Sequence, residues 1–463
     1  MMDVQQTASI QKKAFLSAIV ILSVLLVSTG IAVRFIPTGA FDYELINGVE
    51  TIIPGTFQYT NLNPLPIYRI FTAPFEVLVA SGNTLVIAII LFLLIIGGSI
   101  KVLKEANIIE HFIYKIILRY YNKRYLLLAL ITLVFMSVGA FIGVFEEIVP
   151  LVPIMIILAK KLGWDTKTGL GMSILAAGFG FSAAITNPFT IGVAQQLSNL
   201  PLFSGFFYRM IIFLLIYGIL LLFLVRHAKR IATDDVVEAI DFSYQAPHPF
   251  ALKWTILWLV MMMVSILLSP FVPLLQSYNL ILITLYFLIA GIGVALVSFK
   301  TKKDGLKMYI SGSFGMAPGI ALILLATGVK QIIVASNVLD TILYRLSTSL
   351  EGSQDGTIII GAYSFVLIAN FFIGSGSAKA FLIMPILNPL LDLSEISRQL
   401  GVLAFQLGDG FSNMFYPTNA VLLVSLGLAE MSYTKWFKWT VLLQVLVVLI
   451  SIGLLLIGLG VGY

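Results

Sequence analysis

Gly139-Ala140-Phe141-Ile142-Gly143-Val144-Phe145-Glu146-Glu147, with Thr186-Asn187-Pro188 downstream of it, is the stretch whose reading decides the fold. Both motifs interrupt long apolar sequence, the first with glycines and carboxylates, the second with an Asn-Pro pair. The other half of the chain repeats the pattern as Gly374-Ser375-Gly376-Ser377 and then Pro417-Thr418-Asn419. Ser182 and Ser412 hold equivalent points, 230 residues apart in a chain of 463. Apolar segments broken at matching points of two halves are the sequence signature of a secondary carrier with its site at the repeat interface. The pattern therefore predicts a carrier. A channel is the competing class, and a membrane-embedded enzyme ranks below both because no nucleophile–base pair accompanies the motifs.

Composition supports a membrane setting. Hydrophobic residues make up 59% of the chain and charged residues 11%, against roughly 25% charged in a soluble domain. The mean hydropathy is +1.02. Many segments approach the ~20 apolar residues that cross ~30 Å of hydrocarbon. The apolar runs are continuous rather than alternating, which excludes a β-barrel. The expected fold is an all-α polytopic membrane protein of two inverted repeats, with about nine spans, two re-entrant hairpins, two broken helices and interfacial amphipathic helices. The chain has no cysteine, so disulfides, thiolate chemistry and cysteine-based metal sites are excluded. The formal charge of +6 reflects cations gathered on one membrane face, not a nucleic-acid surface. Lys12 and Lys13 precede the apolar stretch Ala14–Ile36, which exceeds the ~7–15-residue core of a signal peptide and lacks a small-residue cleavage site. It is expected to be a retained first span.

Residues 1–225 form the expected first repeat. It holds the span Ala14–Ile36, a polar loop Pro37–Asn83 ending in a short amphipathic piece, the span Thr84–Lys101, and an interfacial helix Val102–Asn122. Charges interleaved with Ile, Leu and Phe suit the last of these to the membrane surface. A hairpin, residues 125–161, follows. Its arms Tyr125–Ala140 and Ile148–Lys160 have 16 and 13 residues, roughly 24 and 20 Å of helix and short of a crossing. Thr166–Leu197 is a span broken at Thr186-Asn187-Pro188, and Phe206–Val225 closes the repeat. Residues 226–251 are the expected cytoplasmic linker. The second repeat, 252–463, has spans Leu252–Val272, Asn279–Phe299 and Met308–Gly328, and an amphipathic piece Lys330–Leu350. A second hairpin (357–391), a broken span Glu395–Leu428 and a last span Trp436–Val461 complete it.

With the N-terminus in the cytoplasm, all but seven of the 28 Lys and Arg fall on the cytoplasmic side, as the positive-inside rule requires. The seven are Arg34, Arg69, Arg209, Lys330, Arg345, Lys379 and Arg398. That asymmetry predicts that the first hairpin enters from the cytoplasm and the second from outside, and that the C-terminus is outside.

Three intramembrane acids stand out. An ionised carboxylate at bilayer depth costs ~2.5 kcal/mol or more, so it normally faces a cavity, pairs, or takes a proton. Glu146 and Glu147 are expected to bind a proton, a cation or a cationic substrate group, and they also suit the start of the following helix. Asp409, with Asn413, is expected as a proton or cation site, or as the partner of Lys379. A Gly-Asp-Gly run inside a span is also a feature of intramembrane aspartyl proteases, but no second membrane aspartate accompanies it. Gly374-Ser375-Gly376-Ser377 opens a helix whose free N–H groups make an anion site, and Lys379 would add a charge for a substrate carboxylate. Close helix packing through small residues, with Lys379 snorkelling outward, is the alternative. Thr186, Asn187, Thr418 and Asn419 sit at the breaks, where non-helical backbone at membrane depth lines a cavity or is buried. Gly143, Glu146, Glu147, Thr186, Asn187, Gly374, Ser375, Gly376, Ser377, Lys379, Thr418 and Asn419 are the candidate substrate-binding residues. His111, His227 and His248 are expected on the solvated cytoplasmic surface. No HExxH, P-loop or GxSxG motif is present, so neither a zinc site nor ATP hydrolysis is expected.

The stretches GVFEEIVPLVPIMIILAKKLGWD, AAGFGFSAAITNPF, NFFIGSGSAKAFLIMPILNPL and RQLGVLAFQLGDGFSNMFYPTNAVL resemble the YfcC-type branch of the C4-dicarboxylate anaerobic carrier (DcuC-like) family, over residues 14 to 461. The resemblance implies the plan of the ion-transporter superfamily: inverted repeats, two re-entrant hairpins, an elevator-like movement and a homodimer. It places function near Gly143–Glu147, Thr186–Pro188, Gly374–Ser377 and Pro417–Asn419. Dicarboxylate carriers of that superfamily carry Ser-Asn-Thr at both tips, whereas here the tips read Gly-Val-Phe-Glu-Glu and Gly-Ser-Gly-Ser. Some relatives of the branch exchange arginine for ornithine. The resemblance thus implies a small carboxylate-bearing substrate, a basic amino acid or a C4-dicarboxylate, carried across a bacterial cytoplasmic membrane. No cofactor is expected, and the coupling ion is a proton or sodium.

Overall fold

The computed structural model describes residues 16, 19–46, 49–60, 64–79, 84–232, 246–268, 272, 275, 278–350 and 352–463. The start of the first expected span and residues 233–245 of the linker lie outside the described residues.

The chain opens with α1 (Ile19–Ala32). Four short strands follow: β1 (Gly39–Ala40), β2 (Tyr43–Ile46), β3 (Val49–Ile52) and β4 (Gln58–Tyr59). β2 pairs antiparallel with β3, and β1 with β4. These ladders were not expected in the loop 37–83, although Asn47-Gly48 between two β-branched runs is a strong hairpin signal. The loop is held to the far half by Asp340, which accepts from Phe41 N at 3.0 Å and Tyr43 OH at 2.7 Å.

Next come α2 (Tyr68–Glu76), α3 (Thr84–Glu105) and α4 (Ile108–Tyr120). α4 buries Ile109, Ile113 and Ile117 on one stripe, the helical spacing of an amphipathic helix. Over the expected first hairpin lie α5 (Arg124–Ile142) and α6 (Val152–Lys161), with a tight helical turn, Glu146–Leu151, between them. α5 is 19 residues, longer than the expected 16, because a π-helical turn carries it on to Ile142. The first broken helix comprises α7 (166–182) and α8 (188–197), followed by α9 (Phe206–Ile231). α9 runs into the stretch expected to be linker. Its His227 is not on the solvated surface: the ring is largely buried, contacts Asp165 at 3.1 Å and accepts from Trp439 Nε1 at 3.2 Å.

The second half contains α10 (Pro249–Leu268), α11 (Asn279–Val297), α12 (Lys302–Phe314), α13 (Ala317–Ala335) and α14 (Leu339–Thr348). Here the expectation of a span Met308–Gly328 is corrected. Gly315 and Pro318 divide it, since proline is favoured in the first turn of a helix, and α13 then continues past Gly328 to Ala335. Nothing between Gly328 and Ala335 breaks a helix, so Lys330 lies on α13 and not in an amphipathic piece. The last elements are α15 (Asp355–Phe372), α16 (Gly376–Leu393), α17 (Arg398–Gly410), α18 (Ala420–Leu428) and α19 (Tyr433–Gly460).

Among the described residues, eight stretches are long and apolar enough to cross a membrane: α3, α5, α9, α10, α11, α12 with α13, α15 and α19. The protein is an all-α membrane protein, its strands confined to one loop. Some packings recur between the two halves. α5 packs on α7 as α15 packs on α17. The second arms cross over: α16 packs on α8, and α6 with its preceding turn packs on α18. The first tip and both breaks share one large core. A separate apolar cluster joins Leu26 of α1, Val33 just after it, Ile70 and Ala73 of α2, and Val329, Ile332 and Ile333 of α13.

Candidate functional site

The site grows out of two chain breaks that close on two helix ends. α5 stops at Gly143, whose φ of 79° is the left-handed conformation glycine adopts without strain. A side chain there would also collide with the Asn187 carboxamide and the Phe189 ring. Behind it, Thr186 Oγ1 donates to Phe141 O at 2.9 Å, and Ile185 N to Ala140 O at 2.9 Å. Asn187 Oδ1 accepts from Phe189 N at 2.9 Å and so starts α8. The second half repeats this chemistry. Thr418 Oγ1 donates to Phe371 O at 2.8 Å, and Asn419 Oδ1 accepts from Leu422 N at 3.0 Å to start α18. Side-chain caps of this kind satisfy the orphan N–H groups of a helix start.

The tips differ in charge. Glu146 and Glu147 open the turn before α6, and Glu147 Oε2 accepts from Phe145 N at 3.0 Å. Glu146 is half-buried and forms no ion pair among the described residues; its charged neighbour is Asp409. At the other tip Ser375 Oγ caps α16 through Ala378 N at 3.4 Å and lies 3.4 Å from Ser377 Oγ.

Between the tips lies a cavity of about 270 Å³, close to the lower end of the roughly 300–1,000 Å³ typical of small-molecule sites. Gly143, Glu146, Glu147, Gly374, Ser375, Gly376, Ser377, Asn413, Thr418 and Asn419 line it. Four expected residues stand behind the wall instead. Thr186 and Asn187 hold the break as described. Lys379 and Asp409 are both fully buried and form an ion pair, with Lys379 Nζ also donating to Asn370 Oδ1. Lys379 therefore neither lines the cavity nor snorkels to a surface. Asn370 continues the network through Nδ2 to Asp409 O at 2.7 Å, Ser412 Oγ at 2.7 Å and Asn413 Oδ1 at 3.0 Å. Asn413 Oδ1 also accepts from Asn419 Nδ2 at 3.0 Å, so the chain of polar contacts runs from the ion pair to the cavity wall.

Sequence reasoning missed three polar lining residues: Asn370, Thr327 and Lys330. Asn370 is a lone amide near the end of an apolar arm and was visible as such. Lys330 is a lone cation in an apolar span, a signal in itself, hidden when the span was ended at Gly328.

The sequence pattern of the C4-dicarboxylate anaerobic carrier family, DcuC, matches residues 15–460. The chain belongs to this carrier family. It is 27% identical, across 95% of each chain, to an Escherichia coli K12 protein named "Putative basic amino acid antiporter YfcC". An uncharacterized protein of Haemophilus influenzae is 22% identical over 84% of this chain and 77% of that one. Among solved structures, the YdaH transporter of Alcanivorax borkumensis is 16% identical with a TM-score of 0.45, covering 98% of this chain and 99% of that one. MtrF of Neisseria gonorrhoeae is also 16% identical, with a TM-score of 0.39 over 96% and 94%. As a member of the DcuC family the protein is a multi-pass membrane transporter of a small molecule, and not an enzyme.

Proposed function

We propose that this DcuC-family protein is a secondary exchanger of a basic amino acid in a bacterial cytoplasmic membrane. The observation that carries the reading is Glu146, a carboxylate on the cavity wall with no ion pair among the described residues. A substrate cation would supply the missing charge. The opposite tip, Gly374 to Ser377, offers hydroxyls and the start of the 18-residue helix α16 to a substrate carboxylate. The name of the Escherichia coli relative agrees with this choice. The family description favours a second reading, a C4-dicarboxylate held at the same serine-rich tip.

Each half is read as one of two inverted repeats, 1–225 and 252–463 joined by 226–251, with re-entrant hairpins at 125–161 and 357–391. The matching bonds Thr186–Phe141 and Thr418–Phe371 support it, as does the crossed packing of second arms. The N-terminus is cytoplasmic and the C-terminus outside. An elevator-like displacement of the hairpins and broken helices against the remainder, in a homodimer, would expose the cavity alternately. Glu146, Glu147, Asp409 and Asn413 are the candidates for coupling to a proton or sodium, with no cofactor.

Counterflow in proteoliposomes tests the reading. Vesicles are loaded in turn with arginine, ornithine, succinate, fumarate or a neutral amino acid, with and without sodium. Uptake driven by arginine or ornithine alone is the expected result. Uptake driven only by succinate or fumarate would move recognition to the serine tip, and no counterflow with any solute would contradict an exchanger.

A further inference from the structure

Lys330 is the lysine that the described cavity wall presents, and no hydrogen bond or ion pair satisfies it among the described residues. An ammonium in a membrane interior is costly and normally pairs. The contrast with Lys379 is instructive. Lys379 is fully buried, but Asp409 and Asn370 take up its charge and its protons. Lys330 is close enough to feel that second ammonium and has no such partner. Its place in the fold also differs. α13 packs its residues Val329, Ile332 and Ile333 into the separate apolar cluster with α1 and α2, whereas Val144, Phe145 and Ile148 around the first tip belong to the large core.

We infer that Lys330 joins the Gly374–Ser377 tip in recognising the substrate carboxylate, and that the substrate is a zwitterion held between Lys330 on α13 and Glu146 on the first hairpin tip. This rests on the reading of the cavity as a substrate site. The two walls carry opposite charges, so a molecule with a carboxylate at one end and a cation at the other neutralises both at once. An amine lacking the carboxylate leaves Lys330 unpaired, and a dicarboxylate leaves Glu146 facing a like charge. Lys330 is thus a specificity residue that an empty site leaves unsatisfied.

The test compares each amino acid with its decarboxylated analogue, arginine with agmatine and ornithine with putrescine, in initial-rate exchange by wild type, Lys330→Gln and Lys330→Arg. Wild type should favour arginine over agmatine. Lys330→Gln should raise the KM for arginine about tenfold or more, the size of one charge-assisted hydrogen bond, and leave agmatine nearly unchanged. Lys330→Arg should keep the discrimination. Thermal unfolding of Lys330→Gln should be no lower than wild type, since an unpaired charge is removed. An unchanged arginine KM, or equal losses for arginine and agmatine, overturns the assignment. If wild type exchanges succinate and not arginine, the basic amino-acid reading and the zwitterion fall, and Lys330 as a carboxylate reader stands or falls on the succinate KM of Lys330→Gln. If wild type exchanges none of these solutes, both readings fall.

Discussion

At the scale of single residues, the membrane interior sorts charges by whether they are satisfied. Lys379 and Asp409 are satisfied by each other and by Asn370. Removing one partner of such a buried pair costs about 3–5 kcal/mol, whereas replacing both by apolar groups is often neutral. Asp409→Asn alone should therefore lower thermal stability sharply, and Lys379→Met with Asp409→Leu should recover most of the loss. A single variant as stable as wild type would remove the pair from the architecture. Transport by the stable double variant then shows whether Asp409 also couples an ion. Glu146 is the opposite case, on the wall and without an ion pair among the described residues. Glu146→Gln should leave folding intact and reduce basic amino-acid exchange by about tenfold or more, the loss of one charged contact. Full activity would take Glu146 out of the mechanism.

At the scale of elements, helices cross closely where glycine permits it. A Cβ on Gly180 of α7 would overlap the Met136 carbonyl of α5. Gly180→Val should accordingly cost about 1–3 kcal/mol or more of stability from overpacking, read as a lowered unfolding temperature in detergent. A neutral substitution would contradict the crossing. The elements themselves were largely legible, because the signals are local. Gly143, Pro188 and Pro417 mark the interruptions, and Asn187 and Asn419 announce the restarts that they cap. Boundaries in uniformly apolar sequence were less so. α13 was ended at Gly328, although one glycine costs a helix only ~1 kcal/mol, and this concealed Lys330. The environment of His227 depends on Asp165 and Trp439, distant in sequence, and the pairing of Lys379 with Asp409 was legible only as one alternative among several.

At the scale of the whole molecule, the account joins two halves of matching construction around one cavity. The proposed sidedness of the two hairpins rests on charge asymmetry alone, and a direct check is available. A periplasmic reporter enzyme fused after Tyr463 should be active, and the same reporter fused within the linker 226–251 should be inactive. The reverse pattern would invert the topology. The central claim is that the space between the tips is a substrate site open to one side at a time. The chain has no native cysteine, so Ser377→Cys places one reactive thiol on the cavity wall. The decisive measurement is its labelling by a membrane-impermeant maleimide in right-side-out and inside-out vesicles, with and without arginine. The account predicts labelling that favours one face, that arginine slows, and that a transmembrane arginine gradient shifts to the other face. Equal labelling from both faces at once, untouched by substrate, would contradict it and point to a channel.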